Sequence, residues 1–182
     1  MTVEDSRTVA PVYYRAGSII PVAITNANNG STPVLNTKVL RQQPLRLDVY
    51  PSEDQANAFG DLYWDDGDSL DSITAKKYNY YTFELTRHTS LNITAEYSGL
   101  PTTTGEKVIV EEIRVHGPFK KIVGPGVTYE LSWKEGTNEK KKDAKQATNY
   151  ITFTGLNLNL TSLTTGSVLH MNYRMTAGHG GF

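Results

Sequence analysis

Five aspartates lie within residues 61–71, which read DLYWDDGDSLD. Paired carboxylates can hydrolyse a glycosidic bond when they face each other across a sugar, and aspartates around a glycine suit a hard cation such as calcium. Asp65 and Asp66 are adjacent, so in a strand they would point to opposite faces. The EF-hand spacing is also absent. A local turn therefore explains the stretch best, with Asp65, Asp66 and Asp68 kept as candidate metal ligands and no residue assigned a catalytic role.

The turn interpretation divides the stretch into a strand end and a hairpin. Residues 62–64 would finish a strand, and Asp66 and Gly67 would occupy the centre of a two-residue type I′ turn. Asp68 and Ser69 would hydrogen-bond to the nearby backbone. The predicted structural turn thus comprises Asp66, Gly67, Asp68 and Ser69.

The composition of the chain excludes several classes of function. The 182 residues carry a net charge of -1, which provides no basic surface for nucleic acid, and no window is apolar enough to span a membrane. The absence of cysteine excludes disulfides, thiolate zinc sites and a cysteine nucleophile. The four histidines lack a metal-binding spacing, and no phosphate-binding glycine loop occurs, so we expect no cofactor.

Three N-glycosylation sequons occur, at Asn29, Asn92 and Asn159. Because a chain with this much asparagine, serine and threonine contains some sequons by chance, they indicate a secretory route without establishing it. The first residues lack the basic and apolar regions of a signal peptide.

Short runs rich in Thr, Tyr, Val and Ile, bounded by Gly, Pro, Asn and Asp, predict an all-β fold. Apolar residues alternate with polar ones in segments 81–86, 91–97 and 169–174, as in antiparallel sheets with one buried face. The alternation changes phase at Glu111 and Glu112, which predicts a β-bulge or a strand break. The frequent turn signals favour two small antiparallel β-sandwich domains.

The hydrophilic segment 138–147 has no apolar face. We interpret EGTNEKKKDAK at 135–145 as a solvated loop between two strands, with a short helix at 138–147 as the alternative. The exposed aromatic residues could stack on sugar rings, although Tyr78, Tyr80, Tyr81 and Trp133 are of the kind that more often fill cores and interfaces.

Several segments together resemble a known family. They are YYRAGSIIPV at 13–22, LRQQPLRLDVY at 40–50, FGDLYWDDGDSLD at 59–71 and, more loosely, VIVEEIRVHG at 108–117. Their order and spacing are similar to the region that follows the catalytic barrel in family-31 glycoside hydrolases, such as acid α-glucosidase, maltase-glucoamylase and sucrase-isomaltase.

The resemblance implies a domain plan. Residues 1–10 would be a flexible N-terminus and 177–182 a flexible tail. Residues 11–88 would form the proximal C-terminal β-sandwich and 89–176 the distal one. The catalytic acids of the family belong to a (β/α)₈ barrel, whose nucleophile motif this sequence lacks, so no catalytic residue transfers to this chain.

Two functions remain open at this stage. The chain could be the non-catalytic C-terminal region of an α-glucosidase-like enzyme, with the barrel of that enzyme as its partner and a lysosomal or extracellular location. It could instead be an independent module that binds carbohydrate or protein. An independent hydrolase is a distant third, because the acids lack a pocket.

The first predicted domain would be incomplete, since family members carry further strand sequence before the segment at 13–22. Ile19, Ile20 and Val22 would then form an apolar edge strand with unpaired backbone groups. This predicts self-association through residues 12–23.

Overall fold

The computed structural model describes residues 12–25, 36–87, 89–100, 107–117, 127–146 and 150–177. Within them the chain is almost entirely β-structure, which confirms the all-β class. The strands are β1 Ser18–Ala23, β2 Leu45–Tyr50, β3 Ala58–Trp64, β4 Asn79–Thr86, β5 Ser90–Ser98, β6 Ile109–His116, β7 Val127–Glu135, β8 Asn138–Asp143, β9 Lys145–Gln146, β10 Tyr150–Asn159 and β11 Val168–Ala177. The helix α1 spans Thr37–Arg41, and a 3₁₀ helix spans Leu160–Ser162. No helix in the described residues is long and apolar enough to cross a bilayer.

The strands form one sheet in the order β8-β7-β11-β5-β4-β3-β1-β2-β6-β10-β9. Residues of β8 also approach β10, so the sheet curls until its two ends come near each other. Most neighbours are antiparallel, as predicted, but β2 runs parallel to β6, and β1 runs parallel to β3. Parallel neighbours need long connections between them, which the local alternation of residues cannot indicate.

The core lies on the concave side of this sheet and follows the predicted alternation. In β4 the buried side chains are Tyr81, Phe83 and Leu85, and in β5 they include Leu91 and Ile93. These residues belong to one contiguous cluster that also takes in side chains of β2, β6, β10 and β11. Period-two patterning therefore predicted the buried face of these strands correctly.

The phase change at Glu111 and Glu112 is a β-bulge. Val110 pairs with Leu45 and Glu112 pairs with Arg46, so Glu111 is the extra residue on β6. On the other side of β6, the register to β10 also shifts, between Thr154 and Leu158. The sequence prediction at this position is confirmed, with the bulge as the correct alternative.

The predicted domain boundary at residue 88 falls between β4 and β5. These two strands pair antiparallel from Thr86 and Ser90 to Asn79 and Ser98. The sheet therefore continues from one predicted sandwich into the other, and β2 of the first half pairs with β6 of the second. The division into domains 11–88 and 89–176 stays a prediction, and residues 1–10 and 178–182 lie outside the described part.

The loop predicted at 135–145 is confirmed only at its turn, and its remainder from residue 138 is wrong, as is the helix alternative over the described residues 138–146. Gly136 and Thr137 form a tight turn with Gly136 at φ +61, and β8 returns along β7 as an edge strand. Lys140 and Lys141 lie on this strand, near Glu135, Glu139 and Glu130. Exposed lysines on an edge strand keep it from pairing with other chains, so a fully polar segment can be a strand without an apolar face.

The prediction of an open edge at residues 12–23 is also wrong. β1 lies inside the sheet, because it pairs with β2 along its whole length and meets β3 where Ser18 faces Phe59. Ile19 is 3% exposed and belongs to the core, while Ile20 and Val22 are half-buried. The chain's own strand β3 lies against the beginning of this edge, so the predicted self-association loses its structural support.

Candidate functional site

Residues 65–78, which contain four of the five aspartates of the acidic stretch, connect β3 to β4. The carboxylate of Asp66 accepts hydrogen bonds from the backbone N–H groups of Asp68, at 3.1 Å, and Ser69, at 2.9 Å. The hydroxyl of Ser69 also donates to Asp66 Oδ2, at 2.5 Å. These donors, the Ser69 hydroxyl foremost, lower the pKa of Asp66 to about 2. The structure thus brings Asp66, Asp68 and Ser69 into one hydrogen-bonded turn.

The type I′ hairpin predicted at this position is wrong. A type I′ turn needs positive φ at both central residues, and Gly67 has φ +82 whereas Asp66 is not among the residues with positive φ. β3 ends at Trp64 and β4 begins only at Asn79. Hydrogen bonds to the aspartate side chains take the place of the backbone hydrogen bonds of a hairpin, because a carboxylate can accept a hydrogen bond from an N–H group two or three residues further along the chain.

A second network holds the loop against helix α1. Asp65 Oδ1 accepts the N–H of Gly67 at 2.8 Å, and Asp65 Oδ2 accepts the hydroxyl of Ser72 at 3.0 Å. The guanidinium of Arg41, at the end of α1, donates to the carbonyl oxygen of Asp65 and lies 4.3 Å from the centre of the Trp64 ring. Charge, hydrogen bonding and a cation–π contact together fix the loop to the helix.

The geometry assigns the acidic residues to local contacts. Asp65 and Asp66 each accept hydrogen bonds from loop neighbours, and they do not face each other across a cleft. In the ranges that the structure describes, no three His, Asp or Glu side chains are grouped as metal ligands. The candidate metal ligands Asp65, Asp66 and Asp68 therefore gain no support from the arrangement of their neighbours.

Replacing Gly67 with alanine is expected to lower the free energy of unfolding by about 1–2 kcal/mol. The residue has φ +82, and a Cβ there would lie 3.2 Å from Nε of Arg41, whose side chain can shift. The urea midpoint measures the loss of stability. Gly136→Ala is the control for the contact with Arg41, since a Cβ at Gly136 would meet nothing within 4 Å. Calcium and EDTA are expected to leave the parent's melting temperature unchanged; a calcium-induced rise of several degrees that EDTA reverses would make the loop a metal site.

A charged cluster that the sequence analysis did not find lies on the outer face of β2 and β6. Asp48 is 4% exposed and accepts two hydrogen bonds from Arg46, at 2.9 and 2.8 Å. Nε2 of His116, on the parallel neighbour β6, lies 3.1 Å from Asp48 Oδ1. Burial alone would raise the pKa of Asp48, but the bonds from Arg46 and His116 outweigh it and hold the pKa below its usual value.

Aromatic rings extend this cluster in a row. Tyr14 stacks on Tyr50 at 4.6 Å, Tyr50 stacks on His116 at 4.3 Å, and Tyr150 lies 5.6 Å beyond His116. Burial, and next the charge of Asp48, raise the pKa of Tyr50 to about 12. These contacts tie together β2, β6, β10 and the segment before β1.

The sequence contained a signal for this cluster. In β2 the residues Arg46, Asp48 and Tyr50 alternate with buried Leu47 and Val49, and E-I-R-V-H in β6 shows the same pattern. Alternating charges on each of two strands would indicate a shared face if the strands were known to be neighbours. The parallel pairing of β2 with β6 supplied that missing fact.

Two of the three sequons lie in described residues, and Asn29 lies outside them. Asn92 is half-buried on β5, and its side-chain oxygen lies 2.6 Å from Nδ1 of His170 on the neighbouring β11. Asn159 ends β10, where its side chain accepts the N–H and hydroxyl of Thr161, at 3.2 and 2.5 Å. Glycosylation at either asparagine stays a prediction.

Sequence comparison finds relatives over part of the chain. Sucrase-isomaltase of Suncus murinus is 34% identical over 106 residues, which are 58% of this chain and 5% of that protein. Lysosomal alpha-glucosidase of Rattus norvegicus is 35% identical over 92 residues, which are 50% of this chain and 9% of that protein. No family model matches. The chain thus spans less than a tenth of the length of these curated relatives.

Solved structures share the fold over most of the chain. The glucosidase II alpha subunit has a TM-score of 0.59 at 20% identity, and the match covers 88% of this chain and 17% of that one. The α-1,4-glucan lyase of Gracilariopsis lemaneiformis has a TM-score of 0.58 at 16% identity, over 92% of this chain and 17% of that one. The chain is thus similar in sequence to α-glucosidases over about half of its length, and it shares the fold of these solved structures. It resembles the C-terminal β region of family-31 glycoside hydrolases of the α-glucosidase type.

Proposed function

We propose that this chain is the non-catalytic C-terminal β region of an α-glucosidase-like enzyme and that it braces the (β/α)₈ barrel that carries the activity. The observation that supports this most strongly is the partial match to α-glucosidases, combined with an acidic loop in which Asp65 and Asp66 accept hydrogen bonds from Gly67 and Ser69. A loop fixed in this way presents a rigid surface to a neighbouring domain.

The named relatives also support a secretory location for the chain. One is a lysosomal alpha-glucosidase, and one solved structure is an ER glucosidase II complex. The sequons at Asn29, Asn92 and Asn159 agree with such a route. Carbohydrate binding is the second candidate function, because exposed aromatic rings such as that of Tyr63 can stack on sugar rings.

The purified chain is expected to release no glucose from maltose, glycogen or an aryl α-glucoside above background, because the acids that the family uses belong to the barrel. A coupled glucose assay measures this. Turnover that disappears in Asp65→Asn or Asp66→Asn would contradict both the proposal and the local role of the acidic loop.

A chimera tests the bracing role. Residues 11–176 replace the corresponding C-terminal region of the rat lysosomal alpha-glucosidase, and secreted yield and heat stability of the activity are measured. We expect the chimera to show a higher secreted yield and a more heat-stable activity than a deletion variant that lacks the region. The same chimera carrying Gly60→Ala, which disrupts the β region, is expected to behave like the deletion variant. A chimera no better than the deletion argues against bracing.

A further inference from the structure

A small cavity opens where the ends of four strands meet. Its volume is about 210 Å³, and its walls come from Gly17 before β1, Ser52 after β2, Asn57 and Phe59 at the start of β3, and Glu84 near the end of β4. The buried side chains of Ala58 and Leu85 close the inner side. This cavity lies apart from both the acidic loop and the cluster around Asp48, and neither network uses the side chain of Phe59 or Glu84.

Phe59 gives the cavity an apolar wall. Its side chain is 56% exposed, although its neighbours Ala58 and Gly60 are buried. A phenyl ring left this exposed gains little from folding, so its stabilising contact would come from a molecule that covers it. A lone exposed ring is common on protein surfaces, and the groups around Phe59 therefore decide what it could bind.

Polar groups stand beside the ring. Glu84 is the direct partner of Phe59 across the β3–β4 ladder, so its carboxylate shares a face with the phenyl ring. No ion pair joins Glu84 to another residue of the described ranges. The Ser52 hydroxyl oxygen accepts the N–H of Asn57 at 3.3 Å, and the hydroxyl donates to the carboxylate of Asp54, which lowers the pKa of Asp54. The cavity thus offers one strong acceptor, the carboxylate of Glu84, next to an apolar face.

The walls are held before any ligand arrives. The N–H of Ser52 donates to Asn57 at 2.8 Å, and the N–H of Phe59 donates to Gly17 at 3.0 Å. The side chain of Asn57 accepts the N–H of Arg87 at 2.8 Å. A preformed wall lowers the ordering cost of binding, so a small ligand can be held by few contacts.

We propose that this cavity binds one ring of a neutral sugar, with a ring face of C–H groups against Phe59 and sugar hydroxyls that donate hydrogen bonds to the carboxylate of Glu84. A neutral polyhydroxylated ring is the small molecule with both an apolar face and hydroxyl edges, whereas the Glu84 carboxylate repels anions. The inference rests on the proposed function only for the choice of a glucose-based ligand.

Titration of the ¹⁵N-labelled chain with maltose, followed by NMR, tests the site. Saturable shifts are expected at Ser52, Asn57, Phe59 and Glu84, with a Kd of about 1 mM, as a small preformed site allows. Phe59→Ala and Glu84→Gln are each expected to weaken binding about tenfold, a loss typical of one removed contact. Phe59→Trp is expected to retain binding, because it keeps an aromatic face. Tyr13→Ala is the control, since Tyr13 is exposed but does not line the cavity.

The opposite results would remove the proposal. One such result is the absence of saturable shifts at these residues, and another is a loss of binding in Tyr13→Ala equal to that in Phe59→Ala. A third is that tetramethylammonium causes shifts whereas maltose causes none, which would make the cavity a cation site. The isolated chain is used, so the outcome is independent of the barrel. If maltose binds but the chimera is no better than the deletion, the sugar site is supported and the bracing role is contradicted. If the chimera is stabilised but maltose does not bind, only the sugar site is contradicted.

Discussion

Gly60→Ala is expected to destabilise the chain by at least about 4 kcal/mol, which is a large fraction of the stability of an ordinary domain. A Cβ at this position would lie 2.0 Å from the carbonyl oxygen of Ile19 and 2.8 Å from its carbonyl carbon. Both atoms are backbone, so no side-chain rotation relieves the clash. β1 would have to move away from β3, and Ile19 would leave the core.

Urea unfolding followed by circular dichroism, together with the dispersion of an NMR spectrum, measures this effect. Gly166→Ala is the control: its φ is +83, but a Cβ there would meet nothing within 4 Å. The control is expected to lose only about 1 kcal/mol, from the conformation alone. If Gly60→Ala unfolds within 1 kcal/mol of the parent, roughly the size of the control effect, then β1 does not lie against β3 as described.

Asp48→Asn is expected to lower the free energy of unfolding by about 2–3 kcal/mol at neutral pH. The substitution keeps the shape but leaves Arg46 and His116 facing a neutral amide in a nearly buried position. Both partner side chains keep about a quarter or less of their surface exposed to water, so the loss falls at or below the lower end of the range for a broken buried ion pair. Glu139→Gln, on the exposed strand β8, is the control and is expected to cost less than about 0.5 kcal/mol.

The pH dependence of the stability of the parent and of Asp48→Asn tests the role of the Asp48 charge. The pKa of Asp48 is lower in the folded chain than in the unfolded one, so its contribution is complete above the unfolded pKa, near 4, and is lost as the pH falls through the folded value. The stability difference between the parent and Asp48→Asn is therefore expected to shrink on acidification below about pH 4. Unfolding curves across the acid range measure it. A difference that grows on acidification would mean that folding raises the pKa of Asp48 instead of lowering it.

The sequence by itself determined the features that depend on near neighbours. Period-two alternation identified the buried faces of β4 and β5, because each residue's face follows from its parity along the strand. The phase change at Glu111 identified the bulge for the same reason. The quoted segments of the family resemblance also indicated the fold class and the relatives that the comparisons then found.

Only the tertiary structure decided the features that depend on which strands pair. β1 is covered by β3, and the lysine-rich β8 is a strand because β7 supplies its hydrogen bonds. The cluster of Arg46, Asp48 and His116 requires β2 and β6 to be parallel neighbours, although a long stretch of chain separates them. Pairing between distant strands depends on the backbone and on packing across the whole sheet, so no local pattern of residue types specifies it.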